Sequence, residues 1–400
     1  ILNVVSYNNR LVKTKSIGMM IKIVFILGFF ILFGCSSKTS GDLRSLKEGS
    51  DSVAKEIPTV FYIDKNQSYE KKSIDVHTLA EVVDYIPLET PDDGLIPKSD
   101  TRVESILATA TEVFIVSLNK IFRFGRNGKF LNTIGRIGEG PQEYVTLIDM
   151  VLNRTKKEVI IYDGGKQSLM IYAYDGSFLR SIPLNPNWAV RIGLLDEKTI
   201  CAVNVPNKNV PGFFLISLEN GKMIEALSKP YPARSGISSL ILGIMSTPRS
   251  DGSSVFFNSM LTDTLFAINT HSRDPRYIQL PPNNVVGSGK CGDCSSPHLI
   301  FETDAYANVV IFENTPPAKS YFIDKKKQKI YRGVMCDGQS GGKLIQLINT
   351  GGKNEIATLY QPFWLKEQLG AGLLSGRLKE IAQNVHEDDN PIIAIYKLKD

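Results

Sequence analysis

The chain has 400 residues, with 46 Lys+Arg against 41 Asp+Glu and a formal charge of +5. Hydrophobic residues make up 42% and charged residues 22%, which excludes wholesale disorder. Five cysteines are too few for a disulfide scaffold, and this length buries a sizeable core without one.

Met19 and Met20 are the first methionines, so residues 1–18 are expected to lie upstream of the translated protein. Lys13, Lys15 and Lys22 then precede an unbroken apolar run, Ile23–Phe33. That run is too short to span a bilayer, which needs roughly 20 apolar residues, and it suits a signal-peptide core. Leu32-Phe33-Gly34-Cys35 resembles a bacterial lipobox, with Phe33 its one bulky position. The resemblance implies cleavage before Cys35 and acylation of that cysteine, with several acyl chains giving lasting membrane attachment. Residues 1–34 are thus read as a signal peptide and 35–58 as a lipidated tether, rich in Ser, Lys, Glu and Gly. The first acid after the cysteine is Asp42, which favours a periplasm-facing outer-membrane lipoprotein over surface display. Cleavage removes Arg10, Lys13, Lys15 and Lys22 and no acid. The mature chain is nearly neutral, so composition gives no support for a nucleic-acid partner.

From Thr59 onward the sequence consists of short apolar strands divided by turn signals. Asn127-Gly128-Lys129-Phe130-Leu131 is echoed by Asp175-Gly176-Ser177-Phe178-Leu179, each after an alternating strand. Asn-Gly and Asp-Gly are strong hairpin signals, because Gly accepts positive φ at little cost. A third copy is Phe213–Leu218, Glu219-Asn220-Gly221-Lys222, Met223–Leu227. Weaker hairpins follow at 254–280 and 308–334. A period of 45–50 residues built from short strands predicts a β-propeller, and residues 59–400 have room for six four-stranded antiparallel blades. A short C-terminal helix is predicted over Leu374–Asn384, then a last strand within 390–398. That strand and the early strand Glu81–Leu88 are expected to share a blade and close the ring.

These features resemble the Bacteroidetes-type six-bladed β-propeller lipoproteins, relatives of NHL-repeat propellers. The matching residues are Tyr85-Ile86-Pro87-Leu88-Glu89-Thr90, Gly138-Glu139-Gly140-Pro141-Gln142-Glu143-Tyr144, Asp263-Thr264-Leu265-Phe266 and Asp389-Asn390-Pro391. The sequence departs from the pattern between Met335 and Gln361, where the middle of blade six is hard to find. The resemblance implies a propeller at the cell envelope and implies no reaction.

The loop 135–144 links an outer strand to the next inner strand, across the face where propellers bind ligands. Arg136, Glu139, Glu143 and Tyr144 are therefore candidate ligand-mouth residues. The competing reading is a rigid turn in which Arg136 pairs with Glu143. Cys291-Gly292-Asp293-Cys294 has three readings: a loop disulfide or free thiol pair, half of a zinc site, or a redox pair. The histidines His77, His271, His298 and His386 are far apart in sequence, and no catalytic motif, metal site or cofactor is assigned. The expected function is an envelope-anchored, non-catalytic binding or scaffold module for a glycan, peptide or envelope protein. The alternative is a hydrolase or lyase in the central channel, with or without a metal, using groups such as His271, His298, Glu302 and Asp304.

Overall fold

Val159-Ile160-Ile161-Tyr162 is apolar at every position, whereas Phe178-Leu179-Arg180-Ser181-Ile182 mixes apolar and polar residues. The first pattern suits a strand covered on both faces and the second a strand at a wet rim. The computed structural model bears this out: Glu158–Asp163 is buried throughout, and Phe178–Pro183 is buried only in part. The structure describes residues 60–97, 103–184, 191–204, 207–227, 230–231, 255–258, 263–268, 273–280, 296–312 and 318–399.

The described strands form a six-bladed β-propeller. Blade 1 runs outward from Val103–Ala108 through Glu112–Ser117 and Lys120–Gly125 to Phe130–Thr133. Blade 2 spans Leu147–Asn153 to Phe178–Pro183, and blade 3 Arg191–Leu194 to Met223–Ala226. Blade 4 holds Val255–Asn258, Thr264–Ile268 and Arg273–Leu280, and blade 5 runs from Ser296–Glu302 to Lys329–Asp337. Blade 6 is built from Ile348–Asn349, Glu355–Tyr360 and Ile392–Leu398. Its middle strands, hard to find by pattern, are thus a two-residue inner strand and Glu355–Tyr360.

Three early strands, β1 (Phe61–Asp64), β2 (Lys71–Asp75) and β3 (Ala80–Pro87), run along the outer rims of blades 4, 5 and 6. β1 and β2 pair in parallel with Arg273–Leu280 and Lys329–Asp337. β3 pairs antiparallel with Ile392–Leu398, from Ile392 opposite Pro87 to Leu398 opposite Ala80. The two chain ends therefore share blade 6, and the N-terminal segment covers edges that would otherwise be left unpaired. A one-turn helix, α1 (Val76–Leu79), joins β2 to β3. The single predicted C-terminal helix is in fact a pair, α2 (Pro362–Gly370) and α3 (Gly376–Asn384), inserted between two strands of blade 6. The first was missed because its apolar residues have little helical periodicity; Pro362 at its start is the signal that marked it.

The core is a ring of apolar clusters, one at each junction between blades among the described residues. Blade 1 meets blade 2 through Phe114, Tyr144, Met150 and Tyr172, for example, and blade 6 meets blade 1 through Ile86, Phe122, Phe124 and Ile393. Three of the junctions share a backbone joint. Gly128, Gly176 and Gly221 have φ of +84°, +90° and +72° and abut the Pro87, Thr133 and Pro183 carbonyl oxygens. Each of those residues ends the outer strand of the preceding blade.

Candidate functional site

The loop between blades 1 and 2 satisfies most of its own polar groups. Gly138 N donates to Tyr144 O at 2.9 Å, and Tyr144 N to Arg136 O at 3.0 Å. Glu143 accepts from Gly140 N at 3.0 Å and pairs with Arg136 at 3.1 Å. Lys166 Nζ donates to the carbonyls of Gly140 and Glu143, and Tyr172 OH to that of Gln142 at 2.9 Å. Tyr144 is buried, its hydroxyl donating to Asn119 O at 3.0 Å. Burial pushes the Tyr144 phenol well above its ordinary pKa, so it stays neutral. Of the four candidate residues, Tyr144 is thus scaffold and Glu143 an internal tie, while Arg136 and Glu139 are exposed.

A groove of about 670 Å³ lies along this loop and the outer strand of blade 1. Leu95, Leu131 and Ile137 line it, and each is more than 40% exposed. Asp92 and Asp93 contribute acid to its lining, and Lys120 and Arg136 contribute base. Arg136 was among the candidates read from the sequence; Asp92, Asp93, Leu95, Lys120, Leu131 and Ile137 were missed because they come from three separate segments with no common motif.

Among the described residues, the acids an enzyme would use in the channel are engaged in separate ion pairs. Asp149 of the inner strand of blade 2 accepts from Arg191 Nη1 at 3.1 Å and from Ile192 N at 2.8 Å. Burial raises the Asp149 pKa and Arg191 opposes the rise. His298 is buried on the inner strand of blade 5, and burial pushes its pKa down to about 4. Glu302 pairs with Lys325, and Asp304 with Lys353 at 3.0 Å. Cys201 is a free buried thiol pushed up to about 12, hence unreactive. Cys35, Cys291, Cys294 and His271 lie outside the described residues.

A second polar cluster sits where β2 and α1 meet blades 5 and 6. The Asp337 side chain is fully buried. It accepts from His77 Nε2 and Tyr396 OH, both at 2.9 Å, from Gln339 N at 2.7 Å, and from Tyr360 OH. Tyr85 OH lies 3.1 Å from His77 Nε2. Asp75 caps α1, accepting from His77 N and Gly338 N, each at 3.1 Å. Burial opposes the Asp337 charge, yet hydrogen bonds from His77, Tyr360 and Tyr396 outweigh it and hold the carboxyl below its usual pKa. The hydrogen bond to Asp337 in turn raises the His77 pKa. Sequence distance hid this cluster, because His77 and Asp337 are 260 residues apart.

Residues 60–397 match the model of a family described as a domain of unknown function, DUF4934. The chain belongs to the DUF4934 family. No curated protein matches it by sequence. The crystal structure of a protein from Bacteroides fragilis, described as exported, is similar to this DUF4934 chain with a TM-score of 0.67 and 17% identity. That match covers 86% of this chain and all of the other, and at such identity it shows a shared fold. A DUF4221 member from Bacteroides vulgatus matches at TM-score 0.43 and 11% identity, over 80% of this chain and 96% of its own.

Proposed function

We propose that this DUF4934 chain is an envelope-anchored lipoprotein whose propeller is a non-catalytic binding module. It takes an extended peptide segment of another envelope protein in the groove beside the loop 135–144. The observation that carries this reading is the groove itself: exposed aliphatic side chains beside a rigid loop, with acids and bases to orient a ligand. Pre-organised loops bind with less entropic cost than mobile ones. The lining favours peptide over glycan. Sugars stack on exposed aromatic faces, whereas the exposed apolar residues here are Leu95, Leu131 and Ile137.

The envelope address rests on the leader and on Cys35, and the fold relative from B. fragilis is itself described as exported. Kinship with NHL-like propellers rests on the hairpin pattern. The channel-enzyme alternative is less favoured, because Asp149, Glu302 and Asp304 are each committed to a separate ion pair.

The test is selection from a displayed library of extended peptides. Binding of selected peptides should fall at least tenfold in Leu131→Asp or Ile137→Asp. It should be unchanged in Leu179→Asp, the matching rim position of blade 2. Equal loss at all three positions, or selection of glycans alone from a parallel panel, would overturn the reading.

A further inference from the structure

We propose that Asp75, His77 and Asp337, with the phenol of Tyr85, form a site for one divalent transition-metal ion that clips the N-terminal segment to blades 5 and 6. This goes beyond the peptide groove and does not depend on it. Among the described residues these three are the only group of His, Cys, Asp and Glu whose ligand atoms all lie within 4.8 Å of one another. The spacing is that of donor atoms around one ion. His77 Nε2 lies 2.9 Å from Asp337 Oδ1 and 3.1 Å from Tyr85 OH. Metal–ligand bonds of about 2.0–2.1 Å place neighbouring donors roughly 3 Å apart.

Charge supplies an independent argument. Buried carboxylates are normally paired with a cation or held by several backbone N–H groups. Asp149, Glu158, Glu302 and Asp324 each meet an Arg or Lys, and Asp163 is held by the N–H groups of Val145, Thr146 and Gly165. Asp337 and Asp75 have no Lys or Arg ion pair among the described residues, and the one basic side chain against Asp337 is the imidazole of His77. Two carboxylates, Asp75 and Asp337, stand against the single imidazole of His77, so the site gathers more negative than positive charge. A bound cation balances it.

The ligand set decides the class of ion. One imidazole nitrogen with carboxylate and phenol oxygens, and no thiolate, suits Zn²⁺ or Mn²⁺ better than Mg²⁺ or Ca²⁺, which prefer oxygen alone. The ion would enter from the side of His77, whose side chain is 20% exposed, and rest against Asp337, which is not exposed at all. Asp75 and His77 lie on the N-terminal segment, Asp337 ends the outer strand of blade 5, and Tyr85 lies in β3 of blade 6. Metal binding would therefore hold three parts of the ring together.

The test uses the purified protein carrying Cys291→Ser and Cys294→Ser, so that the other candidate zinc ligands are absent. After stripping with chelator, Zn²⁺ is titrated by calorimetry and thermal unfolding is followed alongside. One Zn²⁺ per chain and a melting temperature raised by several degrees are expected. His77→Ala and Asp75→Ala, both at half-exposed positions, should weaken zinc at least 30-fold and abolish the rise. Zinc affinity unchanged in His77→Ala, or no uptake at sub-millimolar zinc by the folded protein, would overturn the proposal.

Discussion

The carbonyl oxygen of Pro87 lies 2.0 Å from where a Cβ on Gly128 would stand. Pro87 ends β3 in blade 6, and Gly128 lies in the hairpin turn of blade 1, so this contact is part of the seam where the ring closes. Glu89 N reinforces it by donating to Gly128 O at 2.8 Å. Glycine is required here twice, for its positive φ and for the absence of a side chain.

Gly128→Ala should therefore cost about 3 kcal/mol or more, combining φ strain with a backbone clash. Gly342 offers a control: its φ is +77° but nothing lies within 4 Å of its added Cβ. Gly342→Ala should cost only about 1 kcal/mol, the φ penalty alone. Denaturant unfolding of the two variants separates these terms. Equal costs would show that the close approach to Pro87 contributes nothing.

Asn390 ties the two chain ends together. It is buried, accepts from Ile96 N at 2.8 Å, and donates to Glu89 O and Gly94 O at 2.7 and 2.8 Å. Asn390→Ala leaves three backbone groups without this partner and should destabilise the ring by about 3 kcal/mol. Asn390→Asp should be damaging too, because it turns two donors into an acceptor facing carbonyls. Melting temperatures close to wild type in both would refute the clasp.

Much of this architecture was legible in the sequence, because it depends on local rules. The hairpins at Gly128, Gly176 and Gly221 announced the repeat, though not the joints those glycines make with the preceding blade, and the pattern around Asp389-Asn390-Pro391 marked the closing strand. The parallel placement of β1 and β2 was not legible. Phe61–Asp64 and Lys71–Asp75 are too short to carry a pairing signal, and their partners lie over 200 residues away. The candidate site was less legible still. Tyr144, which ends a distinctive loop, does line the groove, but it is buried and its ring packs against Tyr172 at 6.4 Å between blades 1 and 2, a placement no local pattern announces. The groove residues Leu95 and Ile137 become neighbours only when blade 1 has formed.

His298 predicts a pH dependence. Burial lowers its pKa in the folded protein to about 4, whereas the unfolded chain takes up the proton near pH 6.5. The unfolded state thus binds more protons between these values, and stability falls as pH drops from 6.5 toward 4. The difference corresponds to about 3 kcal/mol. Unfolding free energies measured across this range should fall less steeply for His298→Gln than for wild type. Parallel curves would show that His298 is not held neutral by the fold.

Cys35 predicts a change of compartment. Cells fed labelled palmitate should label the wild-type protein in the membrane fraction. Cys35→Ala should lose the label and move the folded protein to the soluble fraction. Unchanged membrane association without label would mean that something other than acylation holds it.

The groove of blade 1 is proposed to receive a peptide from another envelope protein. Site-specific photo-crosslinking in living cells tests it most directly, with the photoreactive residue at Ile137 or Leu131 and, as control, at Leu179, a rim position of similar exposure on blade 2. A peptide seated in the groove gives one discrete protein adduct from Ile137 and Leu131, mapping to a single extended segment of the partner, and none from Leu179. Adducts of equal yield from all three positions, or none from the groove, would contradict it.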